Sequence, residues 1–151
     1  MQVSDSKLPF RVLVVGMGRE SISASKLKGE TGLCAEIVNF LKASSIEGKL
    51  KAGWFHVANE CDHSSKTNMH YMLAKRKAMG VISGVPDFVF FWKGGNGFME
   101  VKYKDGRLSD KQKDFYYYWL LPYEQRFSVV RSLGDVKEAL EEWGVLQYNL
   151  T

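Results

Sequence analysis

Apolar residues recur along this chain at two spacings, and these spacings predict which segments form helices and which form strands. Short runs rich in β-branched and aromatic residues predict strands at residues 10–15, 54–58, 88–92, 98–103 and 127–131. Apolar residues three and four positions apart predict helices that begin near Thr31, Asn68, Ser109 and Asp135. From residue 31 onward, the predicted order is therefore helix, strand, helix, two strands, helix, strand, helix.

The same spacing predicts which side of each helix faces the core. In chain order, the residues expected to be buried are Leu33, Ile37, Phe40 and Leu41, then Met69, Met72, Leu73 and Met79, then Phe115, Trp119 and Leu120, and finally Val136, Ala139, Leu140 and Trp143. Thr31 is the expected N-cap of the first helix, and Pro122 is expected to end the third.

The first predicted strand, residues 10–15, is followed by Gly16-Met17-Gly18, which is similar to the start of a dinucleotide-binding loop. Ser21 stands where the third glycine of G-x-G-x-x-G is needed, and residues 21–28 lack the apolar spacing of a crossover helix. We therefore predict no nucleotide cofactor. Residues 1–30 are interpreted as an N-terminal extension with an additional strand, and residues 31–151 as the principal domain.

The segment from Gly84 to Gln112 brings acidic and basic side chains together. Asp87 opens the third predicted strand, and a turn at residues 94–97 returns the chain as the fourth. Because side chains alternate along a strand, Glu100 and Lys102 share one face. A hairpin of these two strands therefore places Asp87 beside Glu100, with the Lys102 ammonium nearby.

The paired carboxylates of Asp87 and Glu100 indicate a site for a divalent cation. Two adjacent carboxylates raise each other's pKa unless a cation lies between them. Mg²⁺ or Mn²⁺ would take these carboxylates and one strand carbonyl, expected to be that of Val101, and would keep positions for a substrate phosphate and a water. Lys102 would orient that water or neutralise charge on the phosphate oxygens.

Composition limits the size and the partners of this domain. With 151 residues, 45% hydrophobic and 25% charged, the chain has the profile of one globular domain with a substantial core. A net charge of +4 and a pI near 9.0 permit a polyanionic partner without requiring one. The basic residues expected to contact phosphates are Lys75, Arg76, Lys77, Lys104, Arg107 and Lys111. Such runs are more often a solvated helix face, so charge alone does not identify the ligand.

Cysteine and histidine usage favours neither a secreted protein nor a zinc site. Cys34 and Cys61 occur with no signal peptide and no apolar run of the roughly 20 residues needed to span a bilayer, so we expect a cytoplasmic protein with no membrane partner. A disulfide between them stays open, but a chain of this size does not need one. His56, Cys61 and His63 lack the paired short spacing of structural zinc ligands, and a polar loop is the favoured interpretation.

Three segments together resemble a known family of nucleases. Pro86-Asp87, Glu100-Val101-Lys102 and the run Gly106 to Gln112 occur in the order and spacing typical of the virus-type replication-repair nuclease (VRR-NUC) domain, within the PD-(D/E)xK nuclease superfamily. The resemblance extends from about Gly32 to the C-terminus. It implies an α/β, restriction-endonuclease-like fold in which a mixed central sheet is flanked by helices.

The resemblance also implies roles for three further residues. Glu36 lies on the flank of the first apolar stripe, where position alone favours an ordinary boundary glutamate. The family's first core helix, however, carries a glutamate that reaches the metal directly or through water. Gln112 matches the family's site glutamine and also completes a capping box with Ser109, so both roles stay open. Asn59 resembles the asparagine-containing end of the family's first core strand and would contact DNA.

The function that the resemblance implies is a metal-dependent DNA endonuclease, with Asp87, Glu100, Lys102, Gln112 and Glu36 at the catalytic site. Stand-alone members are small homodimeric enzymes that act on branched DNA such as Holliday junctions, and we expect the same here. The alternative is a DNA-binding or scaffolding module without turnover, which the retained acidic residues argue against, because buried carboxylates are costly without a cation. The tyrosines at residues 116–118 would stack on bases, pack internally or form a subunit contact.

Overall fold

The computed structural model describes Val14 and residues 26–58 and 69–148. These ranges form one sheet of four strands with helices between the strands. The helices are α1 Gly29–Ile46, α2 Met69–Ala78, α3 Asp110–Phe115 and α4 Leu133–Glu142, and the strands are β1 Gly53–His56, β2 Phe88–Trp92, β3 Gly95–Val101 and β4 Arg126–Val130. The element order predicted from residue 31 onward is confirmed in these ranges.

The strand order in the sheet is β1-β2-β3-β4. β1, β2 and β3 are antiparallel neighbours, whereas β4 runs parallel to β3 after a connection that contains α3. The sheet is therefore mixed, as predicted, and is compatible with an α/β nuclease fold. Within the described ranges, each helix is too short or too polar to cross a bilayer.

One face of the sheet is buried against α1 and α4. Its core residues include Trp54, Phe88, Phe90, Met99 and Val101 from the sheet, and Ile37, Leu41, Val136 and Leu140 from the helices. Burial of a large apolar side chain contributes about 1.5–3 kcal/mol. The Trp54 indole donates a hydrogen bond to the Ser45 hydroxyl at 3.0 Å, which satisfies two buried polar groups. This core fixes the strands that carry the acidic side chains.

The first helix begins earlier than predicted. α1 starts at Gly29, so Thr31 lies within the first turn and is not the N-cap. The chain before the helix packs closely against this turn, since a Cβ on Gly32 would lie 2.6 Å from the Leu27 carbonyl oxygen. The earlier start also places Glu30 in the helix, where it becomes part of the functional site described below.

The β2–β3 hairpin turns over two residues and not over four. The turn consists of Lys93 and Gly94, and Gly94 takes a φ of +93°. Residues 95–97, predicted in the turn, belong to β3. A Cβ on Gly97 would lie 2.6 Å from the Trp143 ring. This glycine is therefore needed for close packing of a tryptophan, a requirement that sequence alone does not separate from turn formation.

The prediction that Met69, Met72, Leu73 and Met79 face the core is wrong. Each of these side chains is at least 50% exposed, and α2 buries no residue. The helical spacing is real, but α1 and α4 already fill the space against the buried face of the sheet. The apolar stripe of α2 therefore lies at the surface of the described structure.

The prediction that Trp119 is buried is also wrong. α3 continues into a π-helical turn over Tyr116–Leu120, whose hydrogen bonds span five residues instead of four. The wider turn brings Leu120 to the same side as Phe115, and both are buried, whereas Trp119 is 51% exposed. The Trp119 ring stacks on the Phe115 ring with centroids 6.0 Å apart. Pro122 lies in the short 3-10 turn that ends this helix.

The strand predicted at residues 10–15 falls outside the described residues except at Val14. Val14 is helical and buried, which contradicts a strand at that position. β1, β4 and α4 each begin one or two residues before their predicted starts. The start of α4 moves because Ser132 is its N-cap and accepts a hydrogen bond from the Asp135 N–H at 3.2 Å.

Candidate active site

Asp87 and Glu100 lie opposite each other at one end of the β2–β3 hairpin. Phe88 pairs with Met99, so the register continued by one residue sets Asp87 against Glu100. The Asp87 carboxylate accepts a hydrogen bond from the Val101 N–H at 2.8 Å. The Asp87 carbonyl accepts another, also at 2.8 Å, from a backbone N–H just after β1. The aspartate is thus fixed between both of the strands that flank β2.

The Glu100 carboxylate is buried and is contacted from two directions through one oxygen. Only 2% of the residue is exposed. Its Oε1 lies 3.0 Å from the Lys102 Nζ and accepts a hydrogen bond from the Gln112 Nε2 at 2.5 Å. Its Oε2 is buried without a hydrogen-bond partner among the described residues. A buried polar atom left in this way costs about 1–3 kcal/mol, and more when it is charged, so the site favours a bound cation.

Burial, followed by the negative charge of Asp87, raises the pKa of the Glu100 carboxyl from 4.5 to about 7. The hydrogen bond and the positive charge of Lys102 lower this pKa, and the charge of Glu30 raises it. The effect of the single Lys102 ammonium on the pKa of Glu100 is therefore smaller than the combined effect of burial and of the two neighbouring carboxylates. A bound cation would shift the balance toward the ionised form of Glu100.

Glu30 is the glutamate of α1 that lies near this centre. Its charge acts on the pKa of Glu100. It also lines a cavity of about 370 Å³ together with Asp87, Cys34 and His56. The His56 ring stacks on the buried aromatic ring of its cross-strand partner in β2, with 4.7 Å between the ring centroids. Neither Glu30 nor His56 was predicted as a site residue.

Glu36, the residue predicted for the role of the helix glutamate, lies elsewhere. It is exposed and lines a different cavity with Tyr103 and Arg131. Since an α-helix has 3.6 residues per turn, Glu36 lies about 120° around α1 from Glu30. Because the helix was predicted to start at Thr31, Glu30 was not considered as its metal-site glutamate. Glu30 is three residues before Leu33 and seven before Ile37, which aligns it with the buried stripe at the exposed start of the helix, and this spacing is the signal that would have identified it.

Gln112 forms the predicted capping box and also contacts the Glu100 carboxylate. Its Oε1 accepts a hydrogen bond from the Ser109 N–H at 2.8 Å, and its own N–H donates to the Ser109 Oγ at 3.3 Å. These two bonds form the capping box at the start of α3. The remaining amide group, Nε2, donates to Glu100. The cap therefore fixes the amide with its nitrogen toward the carboxylate.

The loop before Asp87 packs against the start of α3 through Gly84. Its φ is +84°, and a Cβ at this position would overlap the Lys111 carbonyl and lie 2.9 Å from the Gln112 nitrogen. Only glycine fits such a close backbone approach. The contact ties the segment that leads into Asp87 to the helix that carries Gln112.

A second support lies on the turn that follows Lys102. Lys104 has a φ of +53°, in the left-handed region that residues other than glycine rarely adopt. The Arg131 Nη1 donates hydrogen bonds to the carbonyls of Lys104 at 2.6 Å and Gly106 at 2.8 Å. Arg131 therefore stabilises the turn that connects Lys102 to α3, the helix that carries Gln112.

The donors of this centre fit a hard divalent cation without enclosing one. Asp87 and Glu100 supply the carboxylate oxygens that Mg²⁺ prefers, and the Glu100 Oε2 is without another partner. In the part of the chain that the structure describes, no three His, Cys, Asp or Glu side chains come together closely enough to hold a metal. A cation would therefore need further oxygens from backbone, water or substrate, as Mg²⁺ commonly does.

The residues predicted to contact DNA lie in different places. Three of them line one cavity: Arg76, Lys77 and Lys111. The others that the structure describes are exposed, on α2 or between β3 and α3: Lys75, Lys104 and Arg107. Three predicted or considered residues lie outside the described ranges: Asn59, Cys61 and His63.

The mixed sheet flanked by helices, with paired carboxylates and a lysine at one end of a hairpin, is compatible with an α/β nuclease fold. The chain belongs to the VRR-NUC domain family, whose sequence profile matches residues 20–132. VRR-NUC domains are nucleases, which assigns nuclease activity and a DNA substrate to this chain. Comparison with curated proteins and with solved structures gives no match.

Proposed function

We propose that this nuclease is a divalent-metal-dependent endonuclease that hydrolyses DNA phosphodiester bonds. The observation that carries the proposal is the Glu100 carboxylate, whose Oε2 is buried without a partner among the described residues. Asp87 and Glu30 add negative charge beside it. Such an arrangement is unfavourable by itself and becomes favourable when a cation binds.

Asp87 and Glu100 would hold the metal together with the Val101 carbonyl. Glu30 takes the role that the sequence suggested for Glu36, because it shares a cavity with Asp87. When bound, Mg²⁺ or Mn²⁺ would neutralise charge on the phosphate and lower the pKa of a water.

Lys102 and Gln112 both contact the Glu100 carboxylate, and each would have a separate role in the reaction. The Lys102 ammonium is 3.0 Å from the Glu100 Oε1, and the residue is only 9% exposed, so the ammonium has little freedom. It is suited to stabilise phosphate oxygens that gain negative charge in the transition state. The Gln112 Nε2 donates to the same Oε1, which orients the carboxylate and leaves Oε2 available.

We propose further that the enzyme selects branched DNA, such as Holliday junctions, and acts as a homodimer. One pocket can cut one strand, and a paired incision needs a second pocket at a fixed separation, most simply across a two-fold axis. The large aromatic residues exposed after α3 are a candidate interface: Tyr117, Tyr118, Trp119 and Tyr123.

Cleavage of labelled single-stranded, duplex, flap and four-way-junction DNA, with Mg²⁺, Mn²⁺ or excess EDTA, tests this function. We expect cutting with either metal, none in EDTA, and the highest rate on the junction. Full activity in EDTA would refute metal dependence, and equal rates on all four substrates would refute selectivity. Junction binding without cleavage under every metal condition would instead support an inactive DNA-binding or scaffolding module.

The oligomeric state has its own measurement. Sedimentation at micromolar concentration is expected to show a dimer, both free and on a four-way junction. A species of one chain mass, 17.2 kDa, under both conditions would rule out the homodimer.

A further inference from the structure

The cavity that contains Arg76, Lys77 and Lys111 is distinct from the acidic centre of Asp87 and Glu100 and lies between the end of α2 and the start of α3. Its volume is about 670 Å³. One part of its wall is apolar, formed by Leu73, Val81 and Ile82, and another part is basic, formed by Arg76, Lys77 and Lys111.

Among the described residues, the charged side chains that line this cavity are all basic. No acidic side chain of the described residues lines it, and its three cations come from two helices. The ammonium groups of Lys77 and Lys111 attract an anion, and phosphate is the anion that a nuclease meets on its substrate.

The apolar wall narrows the choice of ligand. Leu73 is 50% exposed, Val81 45% and Ile82 39%. A DNA duplex keeps its bases stacked inside and presents phosphates and sugars, which leaves such a wall uncovered. An unpaired nucleotide presents a phosphate together with the apolar face of a base. The volume also lies within the range of about 300–1,000 Å³ that is typical of small-ligand sites.

We propose that this cavity binds an unpaired nucleotide of the DNA strand that enters the acidic centre. The phosphate contacts Arg76, Lys77 and Lys111, and the base lies against the apolar wall. The inference rests on the proposed function only in taking the bound strand to be the substrate.

The cavity and the acidic centre share the first turn of α3. Gly84, which lines the cavity, packs against the backbone of Lys111 and Gln112, and Gln112 donates to Glu100. A strand held in the cavity therefore leaves it beside the carboxylates. Among four-way junctions, one with an unpaired stretch beside the cleavage site is expected to be cut faster than a fully paired one.

Binding without divalent metal tests the apolar wall. Fluorescence anisotropy in EDTA compares a labelled thymidine oligonucleotide with a blunt duplex of equal length. The double variant Val81→Ser/Ile82→Ser is expected to weaken single-strand binding about fivefold or more, the scale of losing one base contact, with little change on the duplex. The matched control is Met79→Ser, since Met79 is 71% exposed in the same segment but does not line the cavity. Equal weakening on both DNA forms, or the same loss in the control, would overturn the proposal.

The basic wall has a separate readout. Lys77→Gln is expected to weaken binding of the oligonucleotide and to reduce its salt dependence by about one phosphate contact. Lys93→Gln is the control, because Lys93 lies in the hairpin turn at the opposite end of β2 from Asp87. An unchanged salt dependence in Lys77→Gln would show that this cavity does not bind a phosphate of the oligonucleotide.

These measurements separate the cavity from the nuclease. A protein that binds single strands through this wall but cleaves nothing with Mg²⁺ or Mn²⁺ would refute the proposed function and keep the cavity. An active nuclease whose preference for junctions with an unpaired stretch is the same in Val81→Ser/Ile82→Ser would refute the cavity and keep the function.

Discussion

The acidic centre and α2 lie on either side of the first turn of α3, and they depart from ordinary burial in opposite ways. In the acidic centre, a charged group is buried: Glu100 lies inside the protein with one carboxylate oxygen unpartnered by any described residue. In α2, apolar groups are exposed: Met72 and Leu73 lie at the surface. A cation relieves the first condition and an apolar ligand relieves the second. We therefore expect both regions to be stabilised by a ligand, the first by a cation and the second by an apolar surface.

The largest expected effect is loss of activity at the acidic centre. Asp87→Ala and Glu100→Ala should each reduce cleavage by at least about 100-fold, the scale of losing a metal ligand or its support. Met72→Ala on α2 is the control and should cleave at the wild-type rate. Thermal unfolding checks that each variant remains folded. A folded Asp87→Ala or Glu100→Ala variant with wild-type activity would show that cleavage does not take place at the acidic centre.

Lys102 should affect turnover more than metal binding, because it donates to the carboxylate and cannot itself be a metal ligand as an ammonium. Lys102→Ala is expected to suppress cleavage while keeping most of its Mn²⁺ affinity. Lys102→Arg should rescue poorly, since a planar guanidinium does not replace a compact ammonium in a buried position. Cleavage rates and a calorimetric Mn²⁺ titration measure the two effects. A loss of Mn²⁺ affinity as severe as that of Asp87→Ala would make Lys102 a structural counter-ion.

Gly84 joins the two regions, and its substitution should destabilise both. Gly80→Ala is the matched control: both glycines have a positive φ, but a Cβ on Gly80 meets no atom within 4 Å. Gly80→Ala should therefore cost about 1–2 kcal/mol from the backbone alone. Gly84→Ala should cost more, because its Cβ overlaps the backbone at the start of α3, and it should also slow cleavage by moving Gln112. Urea unfolding compares the two, and equal losses would contradict the packing role of Gly84.

The raised pKa of Glu100 gives the metal-free protein a pH-dependent stability. The folded-state pKa is about 7 against 4.5 for the ordinary carboxyl. Between these values, the folded protein holds a proton that the unfolded chain has released, so the free energy of unfolding falls as the pH rises through this window. Metal should restore stability more at pH 8 than at pH 5. Melting temperatures of wild type and Glu100→Gln test this, and identical pH profiles for the two proteins would contradict it.

The smallest expected effect belongs to the exposed stripe of α2. Leu73→Ser should change the free energy of unfolding by no more than about 0.5 kcal/mol, as surface substitutions usually do. Leu41→Ala, in the buried face of α1, should cost about 2–5 kcal/mol. Chemical denaturation of both variants provides the measurement. A loss at Leu73 comparable to that at Leu41 would show that the stripe is buried and that the two regions do not differ.

The sequence by itself determined the features that depend on neighbours close along the chain. The strand at residues 88–92, the shared face of Glu100 and Lys102, and the capping box of Ser109 and Gln112 all follow from rules that act over a few residues. The pairing of Asp87 with Glu100 was also expected, but its register depends on the two-residue turn at Lys93 and Gly94 and not on the predicted turn at residues 94–97. The family resemblance rested on these same local segments.

Only the tertiary structure decided which residues the core receives and which it leaves outside. It placed Glu30, and not Glu36, in one cavity with Asp87, left the stripe of α2 exposed and turned Trp119 outward through a π-helical turn. It also required glycine at position 97, because the ring of Trp143 at the end of α4 packs closely against that position. Helical spacing specifies an apolar face but not the surface that will cover it. That choice depends on how many elements compete for one face of the sheet, and α1 and α4 occupy it here.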